Sequence, residues 1–130
     1  MSSMRTEMAD AAVRIIPVVF LMALLVALLV HEAGHAGAAL ALHLPVRPTL
    51  TRHGPAMIIG SEAIRLTRLQ IAITAAAGPA ANFVFAAIAY AAGRGVFCAV
   101  SIEIGGFNLI PIANSDGHRI IHGYGKGATP

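Results

Sequence analysis

The sequence predicts an all-α membrane protein, with a three-transmembrane-helix core and a small β-hairpin loop between helices 1 and 2. Three observations predict this class. Hydrophobic residues make up 57% of the 130 residues and charged residues only 12%, against about a quarter charged in ordinary soluble domains. The apolar residues gather into three long runs. The one long connection between runs carries the proline and glycine punctuation of a turn. So few charges cannot cover a water-facing surface, so the partner implied by composition is a lipid bilayer. The length fits one domain, residues 1–130.

The first span covers residues 13–42. Up to Val30 it is nearly pure hydrocarbon, longer than the ~20 residues a helix needs to cross a bilayer. It is too long for a cleavable leader and carries the richest motif in the chain. The loop at 43–68 holds Pro45, Pro48 and a turn signal at His53-Gly54-Pro55. Short β-compatible stretches, Thr49–Arg52 and Met57–Ile59, flank that turn and predict a hairpin. The second span, 69–92, is rich in alanine and glycine. Gly93-Arg94-Gly95 makes a tight turn into the third span, 96–113. Glu103, Gly105 and Gly106 weaken that span and predict a break in its middle.

The net charge is +3, but the nine Lys and Arg are scattered between apolar runs. They form no basic stripe, which argues against nucleic acid. Arg5, Arg14 and Arg94 fall on one side of the spans. Arg47, Arg52, Arg65, Arg68, Arg119 and Lys126 fall on the other. Six against three puts the hairpin loop and C-terminal side in the cytoplasm; the alternative for Arg119 is a place buried near the site. The single cysteine, Cys98, permits no intramolecular disulfide and reads as a packing residue.

The chemistry lies at the end of the first span, at His31-Glu32-Ala33-Gly34-His35. Positions i and i+4 share a helix face, so the two imidazoles can grip one Zn²⁺. Glu32 stands beside them as general base for a zinc-activated water. The plain alternative is a pair of helix-end histidines at the headgroups. Ionisable groups in an apolar span are costly, however, and point by default to function.

Catalytic zinc takes three protein ligands and keeps one position open. Spans one and three run parallel, because span two returns between them. His31 lies about 18 residues into span one, ~27 Å along it, and Asp116 about 20 residues beyond the start of span three, ~30 Å. Depth and chemistry both select Asp116. The other aspartate, Asp10, lies at the far end of span one. The plain alternative for Asp116 is an Asp-Gly turn ending a helix.

Three segments resemble the site-2 proteases, a family of intramembrane zinc metalloproteases. They are VHEAGH (residues 30–35), AGPAANF (77–83) and FNLIPIANSDG (107–117), in the family's order and approximate spacing. The resemblance covers nearly everything from span one onward. It implies one Zn²⁺ per chain on His31, His35 and Asp116, with Glu32 catalytic. It implies that Asn82 and Asn108 hold substrate backbone or the oxyanion, and that Gly78 and Pro79 open the second helix beside them; the plain alternatives are an interhelical hydrogen bond for Asn82 and close helix packing for the Ala/Gly run. It also implies a membrane-anchored protein or peptide substrate and a prokaryotic plasma membrane, with the site toward the cytoplasm. The chain departs from the family in having Ala113, Asn114 and Ser115 before Asp116 and His118 after Gly117. His118 is therefore a rival zinc ligand, and the family register favours Asp116. His118 and His122 read as the polar face of a short helix.

Two other functions compete with the protease. One is a zinc-binding membrane adaptor that no longer cleaves, which has no use for Glu32. The other is a metal-ion transporter, which would need ionisable groups along a path and not at one depth.

Overall fold

The structure is a computed structural model that describes residues 2–51, 54–59 and 66–123. His53, Arg52, Arg65 and Lys126, used above for the turn and the charge count, lie outside these residues. The described elements are helix α1 (Ser2–Ala41), strands β1 (Val46–Thr51) and β2 (Gly54–Ile59), and helices α2 (Arg68–Ala91), α3 (Gly95–Leu109) and α4 (Asp116–His122).

Helix α1 starts eleven residues before the predicted span. Its first turns hold Met, Glu, Arg and Ala, good helix formers that extend the helix. Its buried positions are Ala23, Ala27, His31, His35 and Ala39, a strict four-residue row. Such a row is an i±4n ridge, the surface one helix fits into another's groove. Alanine at three of the five lets neighbouring backbones come close. Gly34 serves the same end, since a Cβ there would collide with the Ala77 carbonyl oxygen of α2. Ala23 and Ala27 pack on Val100 of α3.

Helix α1 ends in a Schellman motif. His43 adopts φ 56° and its N–H donates to the Leu40 carbonyl, while Leu44 N–H donates to Ala39. The accompanying apolar contact joins Ala39, Leu44 and Ile59, and so seats the hairpin against the end of α1. The hairpin is antiparallel from Val46↔Ile59 to Thr51↔Gly54. It is longer than the two predicted stretches, with Pro48 inside β1. A two-stranded sheet has only edge strands, where proline is tolerated.

Helix α2 begins with a capping box. Gln70 N–H donates to the Thr67 hydroxyl, and Thr67 N–H donates to Gln70 Oε1. Thr67→Ala is expected to cost about 1 kcal/mol, read as a lower thermal unfolding midpoint of the detergent-solubilised chain. Helix α2 runs unbroken through Pro79, so the opening expected at Gly78-Pro79 is not present. Helix α3 is likewise continuous through Gly105 and Gly106. It stops at Leu109, four residues before the predicted limit, because Pro111 cannot extend it.

Two helices, Met4–Ala41 and Arg68–Ala91, are long and apolar enough to cross a membrane. In the most apolar stretch of the first, only 11% of residues are buried. Leu, Ile, Val and Phe side chains face outward along it. At 15 residues, α3 is ~22 Å long, short of a ~30 Å hydrocarbon core.

Candidate metal centre

His31 and His35 occupy slots in the buried ridge of α1 and are 4% and 7% exposed. Their rings meet edge to face, with centroids 4.7 Å apart. Asp116 reaches them from α4. After α3 ends, the chain turns through Pro111 and through Asn114 at φ 70°. Ser115 caps α4 by accepting from His118 N–H. Its hydroxyl lies 2.6 Å from the Ile110 carbonyl oxygen and 2.7 Å from that of Ile112, either of which can take its one proton. Arg68 Nη2 donates to the Ile121 carbonyl at 2.8 Å and ties the start of α2 to α4. These contacts aim Asp116 inward, 2% exposed.

Three donor atoms converge. His31 Nε2 lies 3.1 Å from His35 Nε2 and 3.0 Å from Asp116 Oδ2, and His35 Nε2 lies 3.3 Å from Asp116 Oδ2. Tetrahedral zinc with bonds of ~2.0–2.1 Å spaces its ligand atoms about 3.3 Å apart, so this triangle fits one face of such a site. The protonation pattern agrees. His35 Nδ1 donates to the Thr74 carbonyl oxygen at 2.7 Å, so neutral His35 carries its proton there and turns a lone pair at Nε2 toward Asp116. A lone pair facing a carboxylate in a buried site calls for a cation between them, a proton on the imidazole when no metal is bound or a metal ion when one is.

Burial pushes the Asp116 carboxyl up. Its hydrogen bonds to His31 and His35, with their charge, outweigh that and hold it well below the usual carboxylate range. Arg119 Nη1 donates to Asp116 Oδ1 at 3.3 Å, leaving Oδ2 to face the imidazoles.

Glu32 is half-buried, and its carboxylate joins His31 and His35 in a group whose donor atoms lie within 4.8 Å of one another, able to hold a metal ion. A cavity of about 420 Å³ opens over the site. Glu32 and Leu28 of α1, Met57 and Ile59 of β2, and Asn108 and Arg119 are among its lining residues. The structure thus brings His31, Glu32, His35, Asp116 and Asn108 together at one cavity. Gly78 and Pro79 are buried and do not line it. A Cβ at Gly78 would overlap His35 Nε2 and fall 2.9 Å from His31 Nε2, so the glycine makes room for the imidazoles. Asn82 is fully buried against His31 Nδ1, 3.2 Å away, and does not line the cavity either. His118 pairs with His122 on α4, ring centroids 4.6 Å apart, away from the cavity lining.

One contributor escaped the sequence reading, and a second was placed at the site only as an alternative. Thr74 acts through its backbone carbonyl, which side-chain chemistry does not reveal. Its one signal is a position one turn before Gly78. Arg119 was counted as a membrane-flank charge, with a place near the site as its alternative. Its signal is its spacing, three residues after Asp116 on one helix.

No protein-family model, curated protein or solved structure matches this chain.

Proposed function

We propose that the chain is a zinc-dependent endopeptidase that works within a lipid bilayer, of the site-2 protease type its motifs resemble. The carrying observation is the triangle of His31 Nε2, His35 Nε2 and Asp116 Oδ2, with sides of 3.0 to 3.3 Å, beneath a cavity that Glu32 also lines. Zinc held by these residues supplies Lewis acidity that draws the pKa of water toward ~7 and polarises a carbonyl.

The chain's own groups do the rest. Glu32 takes a proton from the attacking water and delivers it to the leaving nitrogen as the C–N bond breaks. Asn108, in the cavity wall, holds substrate backbone. Strand β2 supplies Met57 and Ile59 to that wall, so an unwound substrate segment lies along the hairpin and meets its backbone hydrogen-bonding demand there. Unwinding is needed because the peptide groups of an intact helix are shielded.

In this reading α1, α2 and the shorter α3 are three spans, set in a prokaryotic plasma membrane. The site faces the cytoplasm, on the side that holds six of the nine basic residues.

The test is Glu32→Gln with a membrane-anchored test substrate. Wild type cleaves, and the variant keeps its zinc but loses about 10²–10⁴-fold in rate. Equal cleavage by both, or cleavage by neither across several substrates, defeats the protease reading. Zinc bound without cleavage leaves the adaptor in its place.

A further inference from the structure

We propose that Asn82 is a positioning residue for His31: its Oδ1 accepts the His31 Nδ1 proton and thereby fixes the tautomer that presents a lone pair at Nε2. This rests on the metal-centre reading and departs from the substrate-holding role implied by resemblance.

Three observations carry it. First, Asn82 is fully buried and its amide lies 3.2 Å from His31 Nδ1. It is pinned there from the other side, because α3 packs so closely that a Cβ at Gly105 would lie 3.2 Å from Asn82 Cβ. Enclosed between α1 and α3, the amide does not reach the cavity lining.

Second, Asn82 Oδ1 is buried with no hydrogen-bond partner, a costly state. In the present arrangement Nδ2 faces His31 Nδ1. With Nδ2 donating, the single proton of neutral His31 sits on Nε2, aimed at Asp116 Oδ2. Half a turn of the amide exchanges oxygen and nitrogen. Oδ1 then accepts from Nδ1–H and Nε2 is freed to bind metal, while the Nδ2 donors move to the place Oδ1 now occupies. Metal-binding imidazoles generally donate their other N–H to such an acceptor, which fixes ring and tautomer.

Third, His35 already has this arrangement, since its Nδ1 donates to the Thr74 carbonyl of the same helix. Helix α2 therefore serves both imidazoles, through a backbone carbonyl for His35 and a side-chain amide for His31, with Gly78 leaving room between them.

The experiment measures zinc affinity of the purified full chain in detergent, by competition with a chromophoric chelator, for wild type, Asn82→Leu and Asn82→Asp. Leucine keeps the volume and loses the acceptor, so affinity is expected to fall about 10–100-fold. Aspartate keeps the acceptor and is expected to restore binding to within about three-fold of wild type. A purely structural role predicts no rescue by aspartate. Should Asn82→Leu not fold, Asn82→Ala takes its place with the same expectation. Leucine binding as tightly as wild type, or aspartate as weakly as leucine, overturns the proposal while the metal centre stands. A wild-type chain that takes up no zinc defeats the metal-centre reading itself.

Discussion

Asp116→Ala is expected to weaken zinc binding by more than about 100-fold, beyond the 10–100-fold typical of losing a supporting hydrogen bond. The Asp116 carboxylate is the anionic donor of the triangle and the only one brought from outside α1. Without it, two neutral imidazoles face a divalent ion in a buried site. Arg119 also loses its acceptor at Oδ1. The Arg119 side chain is 38% exposed, so water takes up its freed donors and losing this pair costs about 1 kcal/mol or less; the variant should unfold only slightly earlier. Metal analysis of the purified protein checks the first effect and thermal unfolding the second. His35→Ala should lose zinc likewise, and His118→Ala should keep it, because His118 pairs with His122 away from the cavity. Zinc retained in Asp116→Ala but lost in His118→Ala would reassign the third ligand.

Gly78→Ala is expected to be nearly as damaging, against the usual trend. Alanine in a helix interior is ordinarily better than glycine by about 1 kcal/mol. At Gly78 the added Cβ would overlap His35 Nε2 and Cε1 and approach His31 Nε2 to 2.9 Å. Those atoms belong to imidazoles held by Thr74 and Asn82, so they have no free direction of retreat. Overpacking of this kind costs about 1–3 kcal/mol and pushes the donor atoms apart, so zinc affinity should fall more than about ten-fold. Gly37→Ala is the control. A Cβ there meets nothing within 4 Å, and the helix gains about 1 kcal/mol. If both variants bind zinc alike, Gly78 has no part in seating the imidazoles.

The features of this site differ in how far they could be read from sequence. His31 and His35 were legible because helical periodicity alone puts i and i+4 on one face. Asp116 was legible by counting residues along two parallel spans, although its final approach depends on α4, a separate short helix. The Ser115 cap, Pro111 and the left-handed Asn114 redirect the chain there, and their combined direction cannot be summed from local preferences. Gly78 and Asn82 each had two readings, a substrate site or close helix packing with an interhelical hydrogen bond, and the contacts to the imidazoles are those of the second. Their placement under and beside the imidazoles depends on the rotation of α2 about its axis, which apolar periodicity sets poorly when alanine lies on every face. The hairpin was legible from its turn residues, and its extra length came from edge strands tolerating Pro48. The limits of α1 and α3 differ from expectation because hydropathy marks where lipid contact ends, while helix ends follow caps and prolines.

His31 and Asp116 stand 85 residues apart in the chain. An ion shared between them closes a loop containing both hairpin strands, all of α2 and all of α3. Chain-entropy arguments give a cross-link of that span on the order of 4–5 kcal/mol, drawn from the freedom it removes in the unfolded ensemble. An ion bound there would thus act as a clasp on the tertiary structure, and losing it would loosen the fold.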